Sequence, residues 1–350
     1  MEYEQEAVLV PSISLLRRSF PYLRIGAQLL FAMALLGLLL WRVNVSQVRD
    51  ELSGATLWWL VPAAIANLGS DWFRALRWRE FFRPMARVPV PFLWGVALLG
   101  VAGNLALPLR AGEVLRLQLL RRRTGLPAAK VIATILSEKL MDTVAFSSFL
   151  VLGLLLFEEA RFLWPLAVVY GIALGGGVLG ARWLARRSRE EGPLVAQPEG
   201  RWRAWLAVEL RAFGQGLEAF RSTRSLAVVA VMSLTAWVCE AALYYCCGRA
   251  LGIDLNPAVY LLVVVAATVA VSVPITQAGL GVFEVAITGL LVAFGVSTSQ
   301  AAAFAIFSHV MLALPYFAAG PLAAVALRLS VSDILFLRKP GAPPSATLSS

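Results

Sequence analysis

Residues Asn104 to Asp142 read NLALPLRAGEVLRLQLLRRRTGLPAAKVIATILSEKLMD. The stretch puts Arg110, Glu113, Glu138, Lys139 and Asp142 inside or beside apolar segments. At bilayer depth an unpaired charge costs at least ~2.5–3.5 kcal/mol, so these side chains need partners or a task.

The surrounding composition makes bilayer depth the relevant setting. The 350 residues are 59% hydrophobic with a mean hydropathy of +0.75, whereas soluble domains run nearer ~45–50% apolar. Apolar runs between charged borders give candidate spans at Ile25–Trp41, Leu57–Phe73, Pro91–Leu107, Ala128–Phe157, Phe162–Trp183, Leu226–Gly248, Pro257–Val273 and Gln300–Leu327. A further run, Gly281–Phe294, is too short to cross ~30 Å of hydrocarbon as a helix. No cleavage site of small residues follows the first apolar run, which therefore reads as a retained span and not as a signal peptide.

Arginine placement decides between threadings. Of the 31 basic residues only Lys130, Lys139 and Lys339 are lysines, and the formal charge is +10. In a membrane protein such a balance reflects orientation and contact with anionic headgroups; nucleic acid is not an expected partner. The arginine-rich stretches are the N-terminal segment, Arg74 to Arg87, Arg121–Arg123, Arg182 to Arg224 and the tail from Arg328. If every run crossed fully from a cytoplasmic N-terminus, the stretch from Arg182 to Arg224, with nine arginines, would lie outside. The conflict vanishes if Pro91–Arg123 enters and leaves by one side, turning at Asn104–Glu113, and Pro257–Ser297 does the same from the other, turning at Pro274–Gly281. Pro108, Gly112, Pro274, Gly279 and Gly281 are the residue types expected where a helix breaks.

The expected fold is thus an all-α polytopic membrane protein with about six full spans and two re-entrant helical hairpins, or about eight spans. The two hairpins resemble an inverted repeat: LPLRAGE is followed by a half-helix and GLPAAKVIATILSE, VPITQAGLGVFE by a half-helix and GVSTSQAAAFAIFSH. Broken helices meeting near the midplane mark many secondary transporters. The expected organisation is a cytoplasmic segment 1–24, one integral domain 25–328 with halves 25–183 and 226–328, and a disordered tail 329–350. The linker 184–225 carries Trp202, Trp205, Leu206, Leu210, Phe213, Leu217 and Phe220 at helical spacing, as does an amphipathic helix that lies on the cytoplasmic leaflet or has a specific docking role.

The charged residues divide into two readings each. Glu138 and Asp142, four apart, share a helix face; Arg110 or Arg116 either neutralises that face or leaves it to a ligand. Lys139 reaches a lipid phosphate or a carboxylate on another segment. Arg110 and Glu113 flank Gly112 at the turn, where a half-helix start suits a phosphate or carboxylate, unless Glu113 satisfies that end itself. Glu284 is the charge of the second hairpin. His309, the lone histidine, is a hydrogen-bonded core residue or a proton-accepting group facing Glu284. Glu240 reads as a structurally paired acid, and Cys239, Cys246 and Cys247 as small core residues.

One histidine and no dense acid cluster argue against zinc or di-metal chemistry. There is no Walker loop or Gly-rich dinucleotide turn. No cofactor or metal is expected.

The patterns P-x-R-x-G-E (Pro108, Arg110, Gly112, Glu113), E-x-x-x-D (Glu138, Asp142) and A-G-L-G-x-x-E (Ala278 to Glu284) resemble the lysylphosphatidylglycerol synthase transmembrane region family. That is the flippase-like integral domain of the bacterial multiple peptide resistance factor, also found alone in other proteins. The resemblance covers about residues 20 to 330. It implies a multi-pass protein of the inner (cytoplasmic) membrane, and the arginine distribution puts both termini on the cytoplasmic side. Such a protein flips a phospholipid, glycolipid or polyprenyl-linked lipid between leaflets. The alternative is an enzyme or accessory subunit in glycolipid or polyprenyl-phosphate synthesis. Expected partners are membrane lipids with anionic or glycosylated headgroups, and a neighbouring lipid synthase or glycosyltransferase. Only a dozen residues follow Arg338, so lysyl transfer by a soluble domain is not expected. Gln277 and Ala278 stand where family members often carry Pro-Gly. The residues expected to meet a headgroup are Arg110, Glu113, Glu138, Lys139, Asp142, Glu284 and His309.

Overall fold

A computed structural model describes residues 45–106, 111–188, 201–272 and 279–329, together with Thr276 and isolated positions between 33 and 41; side chains of 201–207 are outside it. The expected segment 1–24, most of the span Ile25–Trp41, the tail beyond 329, and Pro108, Arg110 and Pro274 lie outside the described residues. The described elements are α1 (Val45–Ser53), α2 (Leu60–Phe82), α3 (Val90–Ala106), α4 (Ala111–Thr124), α5 (Ala128–Leu156), α6 (Trp164–Arg187), α7 (Arg201–Gly216), α8 (Thr223–Ala250), α9 (Val259–Ser272), α10 (Val282–Ala293) and α11 (Thr298–Ala326), with short 3-10 turns and no strand among the described residues.

Among the described residues, four stretches are long and apolar enough to cross a membrane: Ala128–Leu156, Glu158–Arg187, Thr223–Ala250 and Thr298–Ala326. The fold is all-α and polytopic. Its surface is apolar as lipid contact demands. Leu155, Ile172, Leu179, Phe317, Leu322 and Val325 are all exposed. On α6, Trp164 and Trp183 are exposed near opposite ends, separated by roughly 28 Å of helix, which matches a hydrocarbon slab of about 30 Å with an aromatic at each interface.

The order short helix, break, short helix, long helix occurs twice. First come α3 (17 residues), α4 (14) and α5 (29); then α9 (14), α10 (12) and α11 (29). At 1.5 Å per residue each short helix reaches only about 18–26 Å, less than a bilayer core.

The chain divides into two compact units: one comprises Met1–Ser53 and Ala266–Ile306, the other Gly54–Val265 and Phe307–Ser350. In the first, Val48 of α1 packs on Ala302 and Ala303, and Ser299 donates to Gln47 at 2.9 Å. In the second, a continuous core holds Trp78, Phe81, Phe82, Leu93, Leu115, Leu120, Val131 and Met141.

Two expectations are corrected. The span expected at Leu57–Phe73 does not stop before Arg74: α2 continues to Phe82. Arg77 is buried at 1% exposure, so Arg74 to Phe82 is helix and not loop. A charge ends a span only when it must reach water, and Arg74 and Arg77 find carboxylates inside the protein instead. The linker also does more than lie on a leaflet. Leu217 and Phe220 are buried, Phe220 stacks on Phe81 at 6.1 Å, and a Cβ on Gly216 would meet Ala133 and Lys130 of α5 at 2.5–2.8 Å. Trp202, Trp205 and Leu206 fall among the undescribed side chains.

Candidate functional site

The second unit is built around a chain of buried charges drawn from four helices, with a tyrosine from a fifth. On α2, Asn67, Asp71, Arg74 and Arg77 recur every three or four residues and so share one face. That face is buried: Asn67 1%, Asp71 2% and Arg77 1% exposed.

Arg77 is the hub. Its Nη1 donates to Asp142 Oδ1 at 2.7 Å and to Ser233 Oγ at 2.7 Å. Its Nη2 lies 3.9 Å from Glu138 Oε1. Asp142 accepts a second bond on the same oxygen from Trp237 Nε1 at 2.8 Å, and Ser233 passes its own proton to Val229 O. A buried pair is tolerated only when its remaining donors and acceptors are met in this way.

The hairpin of α3 and α4 is fastened to the same chain. Arg116 of α4 binds Glu138 directly, lies 3.2 Å from Glu113 one turn earlier, and stacks its guanidinium 4.2 Å over the Trp78 ring. A planar, delocalised cation suits both contacts. Trp78 is in turn anchored to Thr134 Oγ1 at 3.2 Å. The hairpin itself closes on glycine: a Cβ on Gly112 would sit 1.9 Å from Gly100 O, and one on Gly103 would sit 3.0 Å from Gly112 Cα. No larger residue fits at Gly112 without parting the two helices.

At the other end, Arg74 binds Glu240 of α8, lies 3.8 Å from Asp71 and covers the Trp237 ring at 4.1 Å. Tyr316 of α11 reaches Asp71 Oδ2 at 2.6 Å and Asn67 Oδ1 at 3.1 Å; its one proton goes to the closer, charged acceptor. Asn67 donates to Leu312 O at 3.1 Å.

Two features of this chain matter chemically. First, three guanidinium groups face five carboxylates: Asp71, Glu113, Glu138, Asp142 and Glu240. Second, the Nε–H of Arg74, Arg77 and Arg116 is buried without an acceptor among the described residues, although a buried donor ordinarily finds one. Arg74 is the most accessible of the three, with 22% of its side chain exposed against 1% for Arg77 and 10% for Arg116.

The expected residues fare unequally. Glu113, Glu138 and Asp142 come together, and arginine neutralises the acidic face as one reading had it, with Arg77 as the main partner of Asp142. Lys139 is exposed on α5 and makes no ion pair among the described residues, though its charge acts on Asp142. In the second hairpin Gly279 and Gly281 adopt φ of 80° and 81°, a region that favours glycine. The Gly281 amide donates to Glu284 Oε2 at 2.6 Å, so this buried carboxylate caps its own helix. His309 is buried at 9% exposure and belongs, with Tyr316, to the second unit, whereas Glu284 belongs to the first. Asp71, Arg74 and Arg77 are the residues that sequence reading passed over; their three- and four-residue spacing, continuous with Asn67, was the available signal.

Beside Asn67 and Tyr316 an apolar groove of about 340 Å³ runs between α2 and α11, lined by Leu60, Val61, Ile65, Leu68, Met311 and Leu314.

Comparison with known proteins agrees with the geometry. The sequence profile described as "Lysylphosphatidylglycerol synthase TM region" matches residues 25–320. A Haloferax volcanii protein named glycosyltransferase AglD is 26% identical over 320 residues, covering 81% of this chain and 51% of the relative. The chain therefore spans about half the length of that curated relative. The profile match extends from the first apolar run to within α11 and takes in all four helices that hold the buried charges, and on that ground the chain belongs to the lysylphosphatidylglycerol synthase TM region family.

Proposed function

We propose that this protein moves a lipid between the leaflets of the cytoplasmic membrane, both termini on the cytoplasmic side, with the charged chain of α2, α4, α5 and α8 handling the headgroup. The family places the protein among membrane proteins of lipid processes; translocation is the reading that best uses its geometry. The observation that carries it is the set of three arginines whose buried Nε–H groups lack acceptors among the described residues. Guanidinium forks suit phosphate oxygens, and a low-dielectric interior strengthens each such bond.

The two surplus carboxylates refine the cargo. A bare anion entering this chain meets net negative charge, so it enters as a carboxylate takes a proton, or as part of a headgroup that brings its own cation. Arg74, the most accessible guanidinium, receives the phosphate first. The apolar groove beside Asn67 and Tyr316 holds an acyl chain while the head is inside. The α3–α4 hairpin is the moving part in this reading; Arg116 ties it to Glu138 of α5, and Leu93, Leu115 and Leu120 pack it into the core of the unit. Arg110, Lys139, Glu284 and His309 remain proposed headgroup or proton contacts of this reading.

The second reading, an enzyme or accessory subunit of glycolipid or polyprenyl-phosphate synthesis, is favoured by the name of the Haloferax relative. Against it, Glu138 and Asp142 are each held by an arginine, which leaves little freedom for metal binding or proton transfer. The two readings separate in extracted lipids. Translocation alters leaflet distribution with total composition unchanged; synthesis changes the composition. For the purified protein the test is reconstitution in liposomes with headgroup-labelled lipids, followed by chemical quenching of the outer leaflet. Accelerated flipping of at least one zwitterionic or anionic phospholipid is expected. No acceleration for any lipid, host extract included, would overturn the proposal.

A further inference from the structure

We infer a second lodging for a phosphate-bearing anion, separate from the buried chain, in the basic hollow at the end of α2. The hollow measures about 520 Å³ and is lined by Arg79, Glu80, Arg83, Arg87, Val88 and Val90, among others. That volume falls within the ~300–1,000 Å³ typical of small-ligand sites.

Its construction distinguishes it from arginines that merely mark orientation. Arg79 lies on the last turn of α2 and Arg83 directly follows its end; both face Glu80, with Arg79 Nη2 3.5 Å from Oε1 and Arg83 Nη1 3.3 Å from Oε2. Glu80 is itself mostly buried, with 10% of its side chain exposed, so it acts as a fixed post that holds two exposed guanidinium groups in position. Arg87 completes the rim and makes no ion pair among the described residues. The floor is apolar, with Val88 and Val90 buried. Three cations against one anion leave the hollow positive, and preorganised forks suit phosphate oxygens.

Its position fits a headgroup. α2 has 23 residues, about 34 Å of helix, long enough for its charged end to lie in the headgroup layer beside a ~30 Å hydrocarbon core. The start of α3 and the end of α4 meet at this same end, where Arg123 lies 5.5 Å over the Phe92 ring. The same helix carries Arg74 and Arg77 inward from Arg79, roughly 3–8 Å along the axis. A phosphate held at Arg83 is thus roughly two turns, about 9–14 Å along the axis, from the buried arginines. Binding here does not depend on translocation and holds for a protein that flips nothing.

The test uses full-length protein in phosphatidylcholine nanodiscs, undoped or doped with phosphatidate, with bound lipid counted by native mass spectrometry. Saturable phosphatidate binding is expected, weakened about tenfold or more in Arg83→Gln/Arg87→Gln, since each surface arginine adds appreciable attraction to an anionic lipid. Arg182→Gln/Arg186→Gln, which removes the same charge from the end of α6, keeps wild-type binding. Both altered pairs leave the buried chain untouched, and their melting temperatures confirm folding. Competition by inorganic phosphate assigns the site to the phosphate group alone; saturable binding without such competition assigns it to the whole lipid. Equal binding by Arg83→Gln/Arg87→Gln, equal loss in the α6 control, or equal retention of phosphatidylcholine would overturn the inference.

Discussion

Arg77 of α2 donates to Asp142 of α5 at 2.7 Å across the centre of the second unit, with 1% of the arginine side chain and 11% of the aspartate exposed. The pair joins the helix that sequence reading cut short to the one whose acidic face it singled out. Removing one partner strands the other, together with the bonds from Trp237 and Ser233. Arg77→Ala is expected to destabilise the protein by about 3–5 kcal/mol. Arg77→Leu/Asp142→Leu, which removes both charges, recovers much of that loss. Denaturation in detergent measures both; equal damage in the single and double variants would mean that the ion pair is not the coupling.

Closure of the α3–α4 hairpin rests on Gly112. In Gly112→Ala a methyl group would sit 1.9 Å from Gly100 O, so the helices separate and the Arg116–Glu138 contact lengthens. Overpacking of this kind costs about 1–3 kcal/mol. Gly69→Ala, where nothing lies within 4 Å, is the matched control; it is expected to be neutral or to stabilise by up to about 1 kcal/mol through helix propensity. Melting temperatures of the two variants, compared with wild type, decide the point.

Arg116 fastens the hairpin to α5. In Arg116→Gln the bond to Glu138 and the stack on Trp78 are both lost, and Glu138 keeps only Arg77 at 3.9 Å. Amide exchange across Ala111–Thr124 should then speed up by about tenfold or more, as expected for loss of a charge-assisted contact. Exchange within α8 should stay at its wild-type rate. A uniform rise across the protein would instead indicate general destabilisation.

Much of this architecture is legible in the sequence, for specific reasons. The spans of α5, α6, α8 and α11 announce themselves because lipid contact demands long apolar runs; Gly279 and Gly281 take positive φ before α10, and Gly112 stands where α4 closes on α3. Glu138 and Asp142 were visible as a shared face. The partner helix was not: Asp71, Arg74 and Arg77 lie where an apolar run gives way to charge, and a pattern reader takes that as the edge of the membrane. Only tertiary structure reveals that each charge has its counter-charge on another helix. Glu284 illustrates the converse. Its place one turn after Gly281 fits a ligand contact as well as a helix cap, and the cap is a matter of where its carboxylate turns.

The most direct test of the central claim concerns Arg74, the most accessible guanidinium of the buried chain, and its partner Glu240. Arg74→Gln/Glu240→Gln removes both charges of this pair together, and Asp71, which loses Arg74 at 3.8 Å, keeps its hydrogen bond from Tyr316 at 2.6 Å. Reconstituted in liposomes beside wild type, at matched protein density and with folding confirmed by thermal melting, this variant is expected to flip labelled phospholipid about tenfold more slowly or worse, as loss of a desolvated charge contact implies. Wild-type flipping by a folded variant would contradict the account.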